Sequence, residues 1–381
     1  MKQTEYMGRG AVSNLKSILE SHSPRSIFLV TGKGSYEGCG AKAAMEELLS
    51  GHQYVHFSDF NPNPQLDEIE RGIDIYNENA CDMVIAVGGG SVIDVGKSVN
   101  VLAEQSNFPE LCVKDSGLIE VKGNPLVAIP TTAGSGSEAT HFAVVYIGEG
   151  KDKTKYSLAH EFVLPDYAII DPNFTNSLLG HIAASTGMDA LGQAIESYWS
   201  VNSTDESRAY ANRAISLAIT NIGATVNIPE YTSRGAMAEA ANLAGKAINI
   251  SKTTAPHAMS YKFTSLCGIP HGHAVGLTLG SVLVHNAGVT EADCNDSRGV
   301  EYVRKTIGEI VSMLGCDSPE EVKDRLTSLM EYIGLDPRLS KNGVTRDDVE
   351  SVVAGINPER LKNNPRVLTS ENAKAMLDMI F

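Results

Sequence analysis

Positive charge is scarce in this chain: 31 Lys and Arg stand against 46 Asp and Glu, a formal net charge of −15 over 381 residues. Binding a nucleic-acid backbone needs clustered cations, so no nucleic-acid partner is expected. Docking on an anionic membrane is disfavoured for the same reason. A small anionic substrate stays compatible, because one pocket can carry a sign opposite to the whole. The six cysteines, Cys39, Cys81, Cys112, Cys267, Cys294 and Cys316, are scattered without a CxxC pair, so neither a zinc ribbon nor a redox dithiol is indicated. No run approaches about 20 apolar residues, and the opening MKQTEYMGRGAV holds no apolar signal core. A cytoplasmic protein with no membrane partner is expected. Fixed-period repeats and low-complexity tracts are missing too.

What is present is the balance of an ordinary globular enzyme, with 42% apolar residues, 20% charged residues and 35 glycines. A chain of this length exceeds one typical core, so two domains are expected. In the first part, short β-rich runs alternate with helical periods. Residues 26–31, 53–57, 83–87 and 125–129 read as strands, and about 41–49 and 65–79 as helices. That rhythm implies a parallel sheet with helices on its faces. Beyond about residue 180, six spans read as helices by apolar spacing: 181–200, 205–222, 233–250, 268–285, 300–314 and 319–333. The expected fold is therefore an α/β domain over residues 1–180 followed by an all-α domain over 181–381.

Three sets of residues carry chemistry. Gly88-Gly89-Gly90-Ser91-Val92-Ile93-Asp94 follows a buried strand and opens a helix. Its glycines let backbone N–H groups approach a phosphate, and the helix terminus favours the anion. The blander alternative is a tight strand-to-helix turn, since this is neither a GxGxxG nor a Walker A sequence. Thr131-Thr132-Ala133-Gly134-Ser135-Gly136-Ser137-Glu138 follows another strand. Two glycine-rich loops at strand C-termini sit where ligands bind in open parallel sheets. In the helical half, Asp189 and Gln193 lie i, i+4 on one helix face, with His257 and His271 further on. A carboxylate, an amide oxygen and two imidazoles make a mixed N/O set for a divalent ion, although any one of these His residues also suits a structural hydrogen bond.

Taken in order, Gly88–Asp94, Pro130–Glu138, Gly187-Met188-Asp189-Ala190-Leu191 and Pro270-His271-Gly272 resemble the iron-containing (group III) alcohol dehydrogenases. The resemblance implies a Rossmann-like dinucleotide-binding domain over residues 1–180 and a helical metal- and substrate-binding domain over 181–381, the architecture shared with dehydroquinate synthase. It implies metal ligation by Asp189, His257 and His271. The fourth ligand, usually His, is here Gln193, whose amide oxygen leaves zinc, iron and manganese all open. Tyr261 stands where the family often has a second His tied to proton transfer, so Tyr261 and His271 are the implied catalytic pair. Cofactor contacts are implied for Gly32, Lys33, Gly89, Gly90, Ser91, Asp94, Thr131, Thr132, Ser135 and Lys155. NAD is the expected cofactor. NADP stays open, because Thr31-Gly32-Lys33 lacks the carboxylate that would accept from a ribose 2′-hydroxyl.

Within that family, Lys155–Leu158, Gln193, Trp199–Asn202, Glu206–Ala209 and Ser251–His257 look like the branch that reduces two-carbon aldehydes bearing a phosphonate or sulfonate. Lys252, Thr253 and Thr254, with His273 and His141, would form the donor cluster that a tetrahedral oxyanion wants. Alternatively, Thr253 and Thr254 cap the helix bearing His257. The resemblance thus points to a metal-dependent NAD(P)H reductase of a small anionic aldehyde; a homodimer is the expected oligomer. Its rivals are a general short-chain alcohol or diol dehydrogenase, an NAD-using sugar-phosphate cyclase, and a non-catalytic binding protein.

Overall fold

The structure, a computed structural model, describes residues 2–148 and 154–381. It divides into two compact units, Met1–Leu178 and Leu179–Phe381. In the first unit, strands β1 (Thr4–Met7), β2 (Ile27–Thr31), β3 (Tyr54–Phe57), β4 (Met83–Gly88), β5 (Leu126–Pro130) and β8 (Tyr167–Ile170) form one sheet in the order β1-β8-β5-β4-β2-β3. Every pairing in it is parallel. Strands β6 (Phe142–Ile147) and β7 (Thr154–Ala159) make a separate antiparallel pair. The helices of this unit are α1 (Leu15–His22), α2 (Ser35–Gly38), α3 (Ala41–Leu48), α4 (Leu66–Glu78), α5 (Gly90–Leu102) and α6 (Pro109–Lys114).

Every residue of β2, β4 and β5 is buried, as a parallel sheet covered on both faces requires. Alternate residues serve alternate faces. Phe28, Val30, Val84, Ala86, Leu126 and Ala128 join a core with α4 and α5 residues such as Ile69, Val95 and Val99. Ile27, Leu29, Met83, Ile85, Val127 and Ile129 join the opposite core with Leu15, Ile18, Leu19 and Met45 of α1 and α3. The chain leaves β2 toward β3 on one side and resumes on the other at β4 and β5, so the direction of winding reverses between β2 and β4. In open α/β sheets this reversal marks the ligand-binding edge.

The second unit is built from α7 (Gly180–Trp199), α8 (Asp205–Asn227), α9 (Tyr231–Ser251), α10 (Ala255–Cys267), α11 (His271–Ala287), α12 (Val300–Met313), α13 (Pro319–Tyr332), α14 (Arg346–Ala354), α15 (Pro358–Leu361) and α16 (Ser370–Met379). No strand occurs in it among the described residues. Helix α7 is its axis, with every residue from Gly187 to Trp199 buried. A helix covered on all sides in this way is a core element, and α8, α9 and α11 pack around it. Among the described residues, no helix is long and apolar enough to cross a membrane.

Candidate active site

Three side chains of the second unit converge. Asp189 from α7, His257 from the first turn of α10 and His271 from the first position of α11 each offer one ligand atom, and these atoms all lie within 4.8 Å of one another. His257 Nε2 stands 3.2 Å and His271 Nε2 3.9 Å from the same Asp189 oxygen, Oδ1. Asp189 and His257 are buried, whereas the His271 side chain is 34% exposed, so the trio opens on the His271 side.

Helix packing sets this geometry. A Cβ built on Gly272 would come within 1.9 Å of the Ser185 carbonyl oxygen and 2.8 Å of the Asp189 backbone nitrogen. Only glycine lets the start of α11 press onto α7 at the level of Asp189, which explains the Pro270-His271-Gly272 motif. His271 Nδ1 lies 3.3 Å from Ser260 Oγ, which leaves Nε2 turned toward Asp189.

Behind His257 stands Glu196, fully buried two turns along α7 from Asp189. Its Oε1 accepts from the Thr254 backbone N–H at 2.9 Å, the Thr254 hydroxyl at 3.0 Å and the His257 backbone N–H at 3.3 Å. Its Oε2 meets His257 Nδ1. Glu196 therefore satisfies first-turn N–H groups of α10 and fixes the imidazole so that Nε2 faces the trio. A carboxylate behind a ligating His is the usual device for setting tautomer and basicity at a metal site. Burial works against a charged His257, but Glu196 and Asp189 outweigh it and push the imidazole up to about 10. Burial likewise disfavours the Asp189 carboxylate, yet the two imidazoles and a hydrogen bond from Gln193 hold its pKa below the ordinary value. Gln193 is buried one turn from Asp189, with its amide N–H turned to that carboxylate.

The donor set suits a divalent cation. A carboxylate oxygen and two imidazole nitrogens, one backed by a second carboxylate, match the ligands that zinc, iron or manganese take at about 2.0–2.2 Å. Tyr261, one turn beyond His257 on α10, lies parallel to His271 at 5.6 Å between ring centres and an interplanar angle of 8°. Its phenol oxygen accepts from Arg360 at 3.0 Å.

The residues implied for substrate divide. Thr254 is fully buried, donating to Glu196 and accepting from the Trp199 indole at 2.8 Å. His273 is buried with Nε2 2.8 Å from the Asp336 carbonyl. The Thr254 hydroxyl is thus engaged inside the unit, and His273 is tied into it through Nε2. Thr254 occupies the N-cap position of α10 but makes no side-chain cap; the Glu196 carboxylate takes that role. Lys252 is exposed, and Thr253 accepts from Asn363 through its carbonyl at 3.1 Å. His141 belongs to the first unit, just before β6 and edge-on to Phe142.

In the first unit, two loops meet at the C-terminal ends of neighbouring strands β4 and β5. The Thr131 N–H donates to the Gly88 carbonyl at 3.0 Å. A Cβ on Gly89 would stand 3.4 Å from Thr132, and one on Gly90 would stand 2.7 Å from Ser135 Oγ. The glycines thus keep a cradle open beside the N-terminus of α5, with Ser91, Thr131, Thr132 and Ser135 at its rim. Gly32, at the end of β2, lies against the same helix start, since its Cβ would come 3.7 Å from Val92. Lys33 points elsewhere and pairs with Asp59 at 3.5 Å on the surface. Asp94 is turned inward: it accepts from Ser137 Oγ at 2.6 Å and from the Val144 N–H at 3.1 Å. Burial raises its pKa, against the pull of Lys97, Ser137, Val144 and Lys155. Lys97 is fully buried beneath it, bonded to Ser137, Thr140 and Phe142, and burial lowers its pKa to about 8.

Residues 3–172 match the iron-containing alcohol dehydrogenase model, and residues 183–381 match the C-terminal part of the same family. The chain belongs to the iron-containing alcohol dehydrogenase family. It is an oxidoreductase, and its two-unit architecture is that of the family. Phosphonoacetaldehyde reductase of Streptomyces viridochromogenes is 33% identical over 304 residues, covering 78% of this chain and 75% of that protein. The long-chain primary alcohol dehydrogenase AdhA of Thermoanaerobacter ethanolicus is 31% identical over 362 residues, covering 92% and 88%. Among solved structures, sulfoacetaldehyde reductase from Bifidobacterium kashiwanohense in complex with NAD+ matches with a TM-score of 0.88 at 29% identity, over 99% of this chain and 96% of that one.

Glu196, Ser260 and Arg360 escape sequence reasoning. Glu196 had a signal, because residues 189, 193 and 196 fall on one helix face. Ser260 and Arg360 had none.

Proposed function

We propose that this enzyme is an NAD-dependent, metal-assisted reductase of a small anionic aldehyde, with phosphonoacetaldehyde and sulfoacetaldehyde as its candidate substrates. The observation that carries the metal-assisted half is the convergence of Asp189, His257 and His271, with Glu196 locking His257. The substrate class is supported by similarity to a phosphonoacetaldehyde reductase over most of the chain and to a sulfoacetaldehyde reductase solved with NAD+. A neutral-alcohol dehydrogenase is the second reading, favoured by the AdhA match over 92% of the chain.

Asp189, His257 and His271 would hold the ion, with the Gln193 amide oxygen as the fourth donor once its N–H is released from Asp189. A zinc, iron or manganese ion there supplies Lewis-acid polarisation of the aldehyde oxygen. The nicotinamide supplies the hydride, and the chain's task is to orient it. Gly89, Gly90 and Ser91 at the start of α5 would bind the diphosphate through backbone N–H groups, with Thr132 and Ser135 donating from the neighbouring loop. Asp94, Lys97 and Ser137 brace that loop from beneath. Tyr261 is the assigned proton donor to the alkoxide, held in place by Arg360 and by stacking on His271. Lys155 and Gly32 complete the assigned cofactor contacts, and a homodimer in the cytoplasm is the proposed state.

The test is NADH oxidation against phosphonoacetaldehyde, sulfoacetaldehyde, propanal and butanal. Preference for the anionic aldehydes by at least about 100-fold in kcat/KM is expected, since charge-assisted contacts are worth about 1.5–3 kcal/mol each. Equal or better turnover of the neutral pair would give the second reading instead.

A further inference from the structure

We infer that Arg360, on the short helix α15, is the specificity residue that receives the anionic group of the substrate; the inference rests on the reductase reading above. Its guanidinium carbon sits 4.7 Å from the centre of the Tyr261 ring, and one N–H donates to the phenol oxygen at 3.0 Å. Tyr261 is itself stacked on His271. The cation therefore lies one aromatic ring away from the trio, next to the ligand whose side chain is exposed.

Arg360 has no counter-ion among the described residues. Three arginines of the same unit with side chains 16–28% exposed do carry one: Arg208 with Glu309, Arg298 with Asp296 at 2.6 Å, and Arg366 with Asp293 at 2.8 Å. Arg360 meets no carboxylate among the described residues, in a chain with 46 acidic side chains. A partly buried cation loses hydration and is ordinarily balanced by an anion. Beyond the Tyr261 phenol, its guanidinium donors bond no other protein group among the described residues. A planar fork of this kind fits two oxygens of a phosphonate or sulfonate side by side.

The residues flanking Arg360 are anchored by hydrogen bonds. The Asn357 side chain caps α15 by accepting from the Glu359 N–H at 2.9 Å. Just past the helix, Asn363 donates to the Thr253 carbonyl at 3.1 Å, accepts from the Asn202 side chain at 2.9 Å, and accepts from the Val201 N–H at 3.1 Å. The segment bearing Arg360 is thus fastened to the turns after α7 and after α9. The second of these turns carries Lys252, held at φ 63° with its side chain exposed. Lys252 is the competing cation for the same anion, and its exposure makes it the weaker one, because water screens a solvated charge.

The experiment compares wild type with R360M, R360K and K252M, using kcat/KM for phosphonoacetaldehyde, sulfoacetaldehyde and propanal. It adds the Kd of ethylphosphonate and ethanesulfonate, which cannot react. R360M is expected to lower the anionic-to-neutral kcat/KM ratio by at least about 30-fold and to weaken ethylphosphonate by a similar factor, the usual effect of losing a bidentate charged contact. R360K should recover part of both, and millimolar guanidinium should partly rescue R360M. K252M should change the ratio less than about threefold, as expected for an exposed charge. If R360M weakens anionic and neutral substrates alike, with no rescue, Arg360 only supports Tyr261 and the inference falls. A larger loss in K252M than in R360M overturns it in favour of the loop lysine. Should wild type show no anionic preference at all, the reductase reading fails first, which is a separable result.

Discussion

Replacing Glu196 by glutamine keeps the side chain's shape and removes its charge. In the native chain, Oε1 accepts three hydrogen bonds from Thr254 and His257, so the amide oxygen of glutamine should keep that place. The amide N–H₂ then faces His257 Nδ1, where the carboxylate oxygen had been. Two donors cannot face each other, so His257 must accept at Nδ1 and carry its hydrogen on Nε2. Nε2 is the atom turned to Asp189 and to the cation, and a protonated Nε2 cannot ligate. Loss of such a carboxylate behind a ligating His costs about 10–100-fold in metal affinity, or about 1.4–2.7 kcal/mol. The assay is a zinc titration against a chromophoric chelator, with circular dichroism and thermal unfolding as checks on the fold. A folded Glu196→Gln variant that binds zinc as tightly as wild type would refute the reasoning, because the tautomer would then not be under the control of Glu196.

Three further outcomes follow from the same geometry. Asp189→Ala removes the oxygen to which both imidazoles turn; turnover should fall by at least about 1,000-fold while NADH binding, followed by fluorescence, stays within about threefold. The His257 imidazole lies at about 10 against an ordinary 6.5, so in the ion-free chain its contribution to stability is complete below about pH 6.5 and is lost as pH rises through about 10. A binding cation must displace that proton. Calorimetry in buffers of different ionisation heat should therefore show about one proton released per zinc at pH 7.5, and zinc affinity should strengthen as pH rises; pH-independent affinity would contradict this. Gly90→Val places a side chain where even a Cβ would stand 2.7 Å from Ser135 Oγ, and NADH Kd should rise at least about tenfold with zinc affinity unchanged.

The sequence was most legible where burial is uniform. Strands β2, β4 and β5 are buried on both faces, so their apolar runs end sharply at Gly or Pro, and the reading places them within a residue or so. Strands β1, β6, β7 and β8 lie outside the four expected strands. Thr4–Met7 is half exposed, and Thr154–Ala159 mixes Lys, Ser and Thr with one buried leucine, so neither run shows an apolar signal; Phe142–Ile147 and Tyr167–Ile170 are apolar, and their absence from the expected strands has no such physical reason. Helices α7, α8 and α9 follow their apolar spacing, although α8 continues to Asn227 and α11 begins at His271, just after Pro270. Helix α10 was absent from the six spans because its buried face carries His257 and Ser260, which interrupt the apolar period. Helices α14 to α16 are short and partly exposed, and also went unread.

At the candidate site, the residues legible in advance were those whose chemistry is unusual for their setting: a carboxylate and two imidazoles among alanines, glycines and leucines. Residues that act through them were hidden. Glu196 shares the helix face of Asp189 and Gln193, but its role shows only where the N-terminus of α10 rests on it, and Arg360 lies 99 residues from Tyr261 with nothing local to connect them. Thr254 and His273, expected beside the substrate, make hydrogen bonds to Trp199 and Asp336 that local spacing does not reveal.

The most direct test of a metal-assisted reductase is NADH oxidation with phosphonoacetaldehyde by enzyme stripped with a chelator and then titrated with Zn²⁺, Fe²⁺ or Mn²⁺. Activity should vanish on stripping and return at one equivalent of the preferred ion, in wild type but not in Asp189→Ala. Undiminished turnover by fully stripped enzyme would contradict the account.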